Sequence, residues 1–443
     1  MDREELQLAA PAAGTGVHVG HDGIPGWRMT LYTMWVAQLF AMVGFAFVMP
    51  FIPFYIRELG VTNPRMVPIW AGLVGTGSGI TMSIFAPMWG WVADRYGRKL
   101  MVQRAMFGGA VILGLMGFVR NVHQLLALRI LQGAFTGTVS ASIALVSTVV
   151  PTAYMGFSLG LMQMSVFTGN SLGPLIGGTV AEHFGYRLPF FVTGGLLFMA
   201  GMLVLFGAKE RFRRPTAEEH AASGSIRDIL AGPGVLVLLS VYTLINLSGS
   251  VVAPIFPLFV EKLNGNAGQA ASATGLIMAV TGIMSAIAAM VVGRISDRVG
   301  HKPVFVICTA LTGITCLPQA AAHSVNQLLV MRAVFGIGAG GMAPAMNAMV
   351  AMLVPRSRLG QAYGITTTFS ALGWATGPIL GGWAAAAFND LRVPFYIMGC
   401  MLIVLALVAQ KGVRAPTRAH AAQPHPAAPI LRPQEASDVA EAD

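Results

Sequence analysis

Charge is the first thing this chain lacks. Asp, Glu, Lys and Arg supply 10% of its 443 residues, where soluble domains carry about 25%, so an ordinary water-solvated globule is excluded. The acids that are present avoid the middles of the apolar stretches, and no His falls there either. Cysteine is scarce as well. Cys308, Cys316 and Cys400 lie in apolar segments without metal-ligand or disulfide spacing, and they read as small apolar fillers. There is no Gly-Lys-Ser/Thr nucleotide loop, no cluster of metal ligands and no Ser/His/Asp set at a common depth. The chain therefore offers no catalytic site and requires no metal and no cofactor. A cleavable signal peptide is also missing, since the first 28 residues are polar and the apolar run behind them is too long for one.

What the chain has instead is apolar length. Hydrophobic residues make up 55% of it, with a mean hydropathy of +0.68. Twelve runs are long enough to cross a hydrocarbon core about 30 Å thick, near 31–54, 68–92, 100–119, 124–150, 157–181, 188–207, 234–260, 270–293, 303–322, 326–354, 360–387 and 393–410. Backbone polar groups must be paired in lipid, so runs of this length are helices, and the fold class is an all-α polytopic membrane protein. The plan expected is a tail over 1–28, a six-helix bundle over 29–207, a polar linker over 208–233, a second bundle over 234–410 and a disordered tail over 411–443.

The net charge of +10 invites a nucleic-acid reading, but its distribution points to topology. With the amino terminus taken as cytoplasmic, inner loops and tails hold 19 of the 28 Lys and Arg. Outer loops hold Arg57, Arg65, Arg120, Arg187, Lys262 and Arg392, and Arg104, Arg129 and Arg332 fall inside helices. That bias is the positive-inside pattern, which puts both termini in the cytoplasm of a cell with this protein in its inner membrane. The partners expected are the bilayer and a small molecule, with no nucleic acid.

The chain also repeats itself. Gly90-Trp-Val-Ala-Asp94-Arg95-Tyr-Gly97-Arg98-Lys99 returns as Gly293-Arg-Ile-Ser-Asp297-Arg298-Val-Gly300-His301-Lys302, 203 residues later. Pro50 and Pro53 return as Pro254 and Pro257, Glu58 as Glu261, Arg129 and Gly133 as Arg332 and Gly336, and Arg187-Leu-Pro-Phe as Arg392-Val-Pro-Phe. Ordered landmarks at nearly constant offset mean a duplicated half. Within helix four, Arg129, Gln132, Thr136 and Ser140 follow helical spacing and form a polar stripe. An Arg at a helix centre costs about 2.5–3.5 kcal/mol on insertion scales, so Arg129 faces a cavity or snorkels to the interface. The stripe that follows Arg332 (Gly336, Ala339, Ala343, Asn347) is smaller and less polar. In helix five, Gly160, Gly169, Gly173-Pro174 and Gly177-Gly178 put small residues four apart on one face, with Pro174 as a bend. Gly364, Gly373, Gly377-Pro378 and Gly381-Gly382 repeat it.

The twelve helices, the loop between helices two and three and the helix-five pattern resemble the major facilitator superfamily over residues 28–410. Within it, the chain is similar to bacterial multidrug exporters of the twelve-helix drug:proton antiporter branch. The resemblance implies two pseudo-symmetric six-helix bundles acting as a monomer around a central cavity walled by helices one, four, seven and ten. Candidates for that wall are Gln38, Met42, Phe45, Gln132, Tyr242, Asn246 and Asn347. It implies that the glycines of the loop allow tight turns. Asp94 would face the positive end of a helix in the other half, while Arg95, Arg98 and Lys99 meet acids or carbonyls, latching the cytoplasmic side. With His301 in place of Arg98, the second loop would be weaker or pH-sensitive. The function implied is export of small, mainly lipophilic compounds in exchange for protons. With no carboxylate at mid-depth, Glu58, Glu261 and Asp94 are the candidate proton carriers, and Arg129 their modulator. A metabolite exporter or proton symporter on the same fold remains open beside this reading, as does a receptor that binds without transporting.

Overall fold

The computed structural model describes residues 25–151, 154–210, 212, 235–265, 269–353 and 359–412. These form twelve long helices: α1 Trp27–Glu58, α2 Met66–Tyr96, α3 Arg98–Met116, α4 Val122–Val149, α5 Met155–Phe184, α6 Leu188–Gly207, α7 Val235–Asn264, α8 Ala270–Val299, α9 His301–Ala321, α10 Val325–Leu353, α11 Leu359–Ala387 and α12 Val393–Gly412. Ten of them are long and apolar enough by composition to cross a membrane. The other two, α5 and α11, carry the glycine-rich pattern, and at 30 and 29 residues they match the rest in length. Most of both expected tails and of the 208–233 linker falls outside the described residues, while α1 and α12 each reach two residues into the expected tails.

Packing repeats with a period of six helices. In the first half α1 packs on α5 and α6, α2 on α4, and α3 on α4 and α6; in the second, α7 packs on α11 and α12, α8 on α10, and α9 on α10 and α12. The halves meet along two seams, α2 with α11 and α5 with α8, which are each other's repeats. The architecture is two pseudo-symmetric six-helix bundles. Large apolar side chains such as Ile84, Phe118, Phe206, Met290 and Val330 stay exposed, as they must where lipid is the solvent.

Trp27 and Gly412 mark what we call the termini face. Among the described residues, the tight glycine contacts of the seams lie toward the opposite face. A methyl group on Gly72, Gly75 or Gly79 of α2 would meet Pro378 or Ala375 of α11, and one on Gly275 or Gly282 of α8 would meet Pro174 or Ser171 of α5. Nearer the termini face, Gly90 of α2 and Gly293 of α8 have open space beside them. The close glycine contacts that join the halves thus cluster toward the opposite face.

Three helices are broken where the sequence removes backbone donors or admits unusual dihedrals. A 3-10 turn over Met49–Phe51 interrupts α1 at Pro50, and α7 breaks between Val251 and Phe256 around Pro254. These are matching sites of the repeat. In α4 the break is Thr136-Gly137, with Gly137 at φ +125°, a conformation side-chain-bearing residues avoid. Its second-half counterpart, α10, is continuous.

Candidate functional site

A cavity of about 420 Å³ lies between the halves. Phe45, Met49 and Pro53 of α1, Val74, Ser78 and Met82 of α2, Arg129, Gln132 and Thr136 of α4, Pro254 of α7 and Ser370, Trp374 and Pro378 of α11 are on its wall. The broken stretches of α1, α4 and α7 thus all border it, as irregular backbone at membrane depth is expected to do.

The wall differs from the one the resemblance implied. Phe45 and Gln132 line the cavity, but α10 is absent from it and α2 and α11 are added. Gln38 is fully buried, and neither of its amide atoms finds a partner among the described residues. Met42 is taken up by close packing against Gly169 of α5. Tyr242, Asn246 and Asn347 stand nearer the termini face, where the Tyr242 hydroxyl donates to Asn347 Oδ1 at 2.6 Å and Asn246 Nδ2 donates to the Tyr242 carbonyl at 2.8 Å. Sequence reasoning missed the α2 and α11 residues because whether a helix faces a cavity or its neighbour depends on tertiary tilt. A Trp next to a Gly in Gly373-Trp374 was the one available hint.

Arg129 is the single ionisable residue on the described wall. It is only 8% exposed, which excludes snorkelling to water. Its Nη1 donates to Gln132 Oε1 at 3.2 Å, while Nε and Nη2 have no partner among the described residues. The polar stripe does not run on to Ser140, because the break at Gly137 turns the helix. Ser140 is exposed and donates to the Gly137 carbonyl. Carbonyls freed near the break are satisfied from neighbouring helices: Trp89 Nε1 donates to the Ala134 carbonyl at 2.6 Å and Arg104 Nη2 to that of Thr136 at 3.3 Å. The Arg104 guanidinium also lies over the Trp89 ring, 3.6 Å from its centroid.

Arg332, the repeat of Arg129, is placed differently. Its guanidinium sits over the rings of Phe256, Phe335 and Phe395 at 4.2, 4.9 and 5.9 Å. Ring faces offer a desolvated cation about 2 kcal/mol or more, so this Arg is held inside the second bundle and takes no part in the cavity wall.

Glu58 and Glu261 sit at the opposite face, each in an ion pair. Glu58 Oε1 accepts from Arg187 Nε at 3.1 Å within its own half, whereas Glu261 Oε1 accepts from Arg57 Nη1 at 2.7 Å across the halves. Tyr186 lies near both. Burial first, then the Glu261 and Glu58 carboxylates, push its phenol upward in pKa. Arg65 Nε also bridges the halves, donating to Asn389 Oδ1 at 3.1 Å.

In the repeated loops, Gly97 and Gly300 are the single residues between consecutive helices, at φ +102° and +107°, where glycine is favoured. Gly90 and Gly293 lie inside helices and serve no turn. Asp94 is helical, but its side chain falls outside the described residues, so its expected helix-end contact does too. Arg95 lies over the Trp91 and Tyr96 rings. Lys99 Nζ donates to the Leu205 and Ala208 carbonyls at the end of α6, while Glu210 accepts the Arg98 and Lys99 backbone N–H groups at 2.9 Å each. This clamp joins α3 to α6 within one half, each helix end held by a side chain from the other segment. In the second loop, Asp297 is exposed, and His301 Nδ1 lies 2.7 Å from Ser296 Oγ. Arg298 and Lys302 stand in the same segment at the termini face.

The glycines of α5 divide by face. Gly169, Gly173 and Gly177 press on Met42, Ala46 and Phe47 of α1, Gly178 presses on the Ala271 carbonyl of α8, and Gly160 meets nothing. Pro174 stays within a continuous α5, its carbonyl against Gly275 across the seam. In α11, Gly373, Gly377 and Gly381 press on α7, and Gly382 on Pro68 of α2. Gly364 is helical within α11, and its surroundings fall outside the described residues.

Comparison with known proteins follows the same outline. The family model described as Major Facilitator Superfamily matches residues 34–264 and 238–434. The multidrug resistance protein MdtG of Salmonella heidelberg (strain SL476) is 31% identical over 389 residues, covering 88% of this chain and 96% of that protein. Its namesake in Klebsiella pneumoniae (strain 342) is 31% identical over 399 residues, covering 90% and 96%. Among solved structures, a bacterial homologue of the human lysosomal transporter Spinster, inward-facing and occupied, superimposes with a TM-score of 0.74 at 14% identity over 89% of this chain and 98% of that one. A D-xylose–proton symporter gives 0.71 at 16% identity, over 88% and 99%.

Proposed function

This chain belongs to the major facilitator superfamily, and from that premise we propose that it exports small, mainly lipophilic compounds across the cytoplasmic membrane in exchange for protons. It is a multi-pass transporter of small molecules and not an enzyme. Its relatives named for multidrug resistance support a drug-type cargo. The observation that carries the reading is the cavity between the halves, about 420 Å³ and mostly apolar, with flexible Met49 and Met82 and the aromatic Phe45 and Trp374 on its wall. Methionine and aromatic faces repack around varied shapes.

In mechanism, the two bundles rock about this site and present it to each side in turn. With the termini face as the cytoplasmic one, on the positive-inside bias, the conformation described here is open inward and sealed outward. Lone Arg129, with donors unspent, favours neutral and anionic lipophiles over cations in the same pocket. Glu58, Glu261 and Asp94 are the proton carriers of this reading, with Arg129 acting on them.

Proteoliposomes with an imposed pH gradient test it, with a panel of lipophilic dyes set against sugars and organic acids. Gradient-driven dye flux is the expected result, and flux confined to a sugar would give the metabolite-carrier alternative instead. If Glu58→Gln, Glu261→Gln and Asp94→Asn variants all keep full gradient-driven flux, the proton assignment is wrong.

A further inference from the structure

The repeat gives Glu58 and Glu261 the same address, and Arg187 and Arg392 the same address, yet the two pairs are not alike. Glu58 holds Arg187 at 3.1 Å. By symmetry Glu261 belongs on Arg392, but it is drawn across the seam to Arg57 at 2.7 Å. Arg392 is left with a buried Nε that has no partner among the described residues. Its neighbour Asp390 accepts the Arg392 backbone N–H at 3.0 Å and makes no ion pair with the guanidinium among the described residues. The cause of the asymmetry is one position. The residue before Glu58 is Arg57, while the residue before Glu261 is Val260. At that position the first half sends a cation across and the second half has none to return, Lys262 lying on the far side of Glu261 in sequence, and it is the second half that loses its internal pair.

We propose that Glu261 exchanges arginines during transport, bonding Arg57 across the halves while the opposite face is closed and Arg392 within its own half when that face opens. Arg392 is then a positioning residue of the cycle. Parting the halves pulls Arg57 away from Glu261, and without a second cation the carboxylate would give up an ion pair at the moment of opening. Arg392 supplies the replacement from within the same rigid half, in the geometry in which Arg187 holds Glu58, and the carboxylate is free to take a proton in the interval between its two partners. The exchange offsets the electrostatic cost of opening and keeps the two states close in free energy, which repeated cycling requires. This inference rests on the alternating-access reading.

The test uses the full-length protein in nanodiscs with Cys400→Ala, spin-labelled at Thr62→Cys and Gln269→Cys, exposed positions on the opposite face of the two halves. The distance distribution reports closed and open populations. Arg57→Gln should raise the open-to-closed ratio and Arg392→Gln should lower it, each by up to about fivefold, the worth of a partly exposed ion pair. In a Glu261→Gln background, Arg392→Gln should change nothing. If Arg392→Gln acts equally with and without the Glu261 carboxylate, or if Arg57→Gln leaves the ratio unmoved, the exchange is overturned while alternating access stands. A single short distance in the parent protein under every substrate and pH condition would overturn both.

Discussion

Arg129 and Arg332 occupy one repeat position and do opposite work, and the difference lies in what surrounds each guanidinium. Three phenylalanine rings enclose Arg332; Arg129 has one amide partner and two unspent donors at a cavity wall. Hydrogen bonds to charged groups are worth about 1.5–3 kcal/mol. Arg129→Gln should therefore cut transport of an anionic lipophile by about tenfold to a hundredfold. A neutral one of similar size should lose only the smaller share that the action of Arg129 on the proton carriers supplies, and neither abundance nor melting temperature should fall. Paired flux assays and a thermal melt in detergent check this. Equal losses for both cargoes would mean that Arg129 acts through packing or proton coupling alone and does not read cargo charge.

Among the elements, α5 shows that one sequence pattern can serve two contacts. Gly169, Gly173 and Gly177 admit α1 within the first half, and such close approach is what holds helices together where the surroundings are as apolar as the side chains. Gly178, one residue on, points to α8 across the seam. Extra atoms in a filled contact cost about 1–3 kcal/mol, and here the cost can be relieved by parting the halves. Gly178→Ala should shift the protein toward the state open at the opposite face, seen as a longer distance between spin labels at Thr62→Cys and Gln269→Cys. Gly160→Ala, with open space beside it, should leave that distance and flux unchanged. Spacing alone makes these glycines one class, and contact separates them. Likewise the helical stripe from Arg129 to Ser140 was legible as period, but the Gly137 break that ends it was not, because freed carbonyls are tolerable only where Trp89 and Arg104 happen to reach them.

At the scale of the whole molecule, one face is sealed by the two symmetric seams together with Arg57–Glu261 and Arg65–Asn389. Replacing Arg65 and Asn389 with cysteines and joining them with a short cleavable bifunctional thiol reagent should halt transport, and reduction should restore it. Full flux through the joined protein would mean that this face never parts.

Fold class, the duplicated half, twelve spans and the landmarks of each loop were all present in the linear order of residues. Hydropathy and repetition are local or pairwise along the chain, and lipid leaves a backbone few choices. Which helices wall the cavity, that Arg332 turns inward to aromatic rings, that Glu261 leaves its symmetric partner, and which face is closed were decided only in three dimensions. Each depends on the tilt and rotation of one packed helix against another, and no spacing within a single helix carries that information.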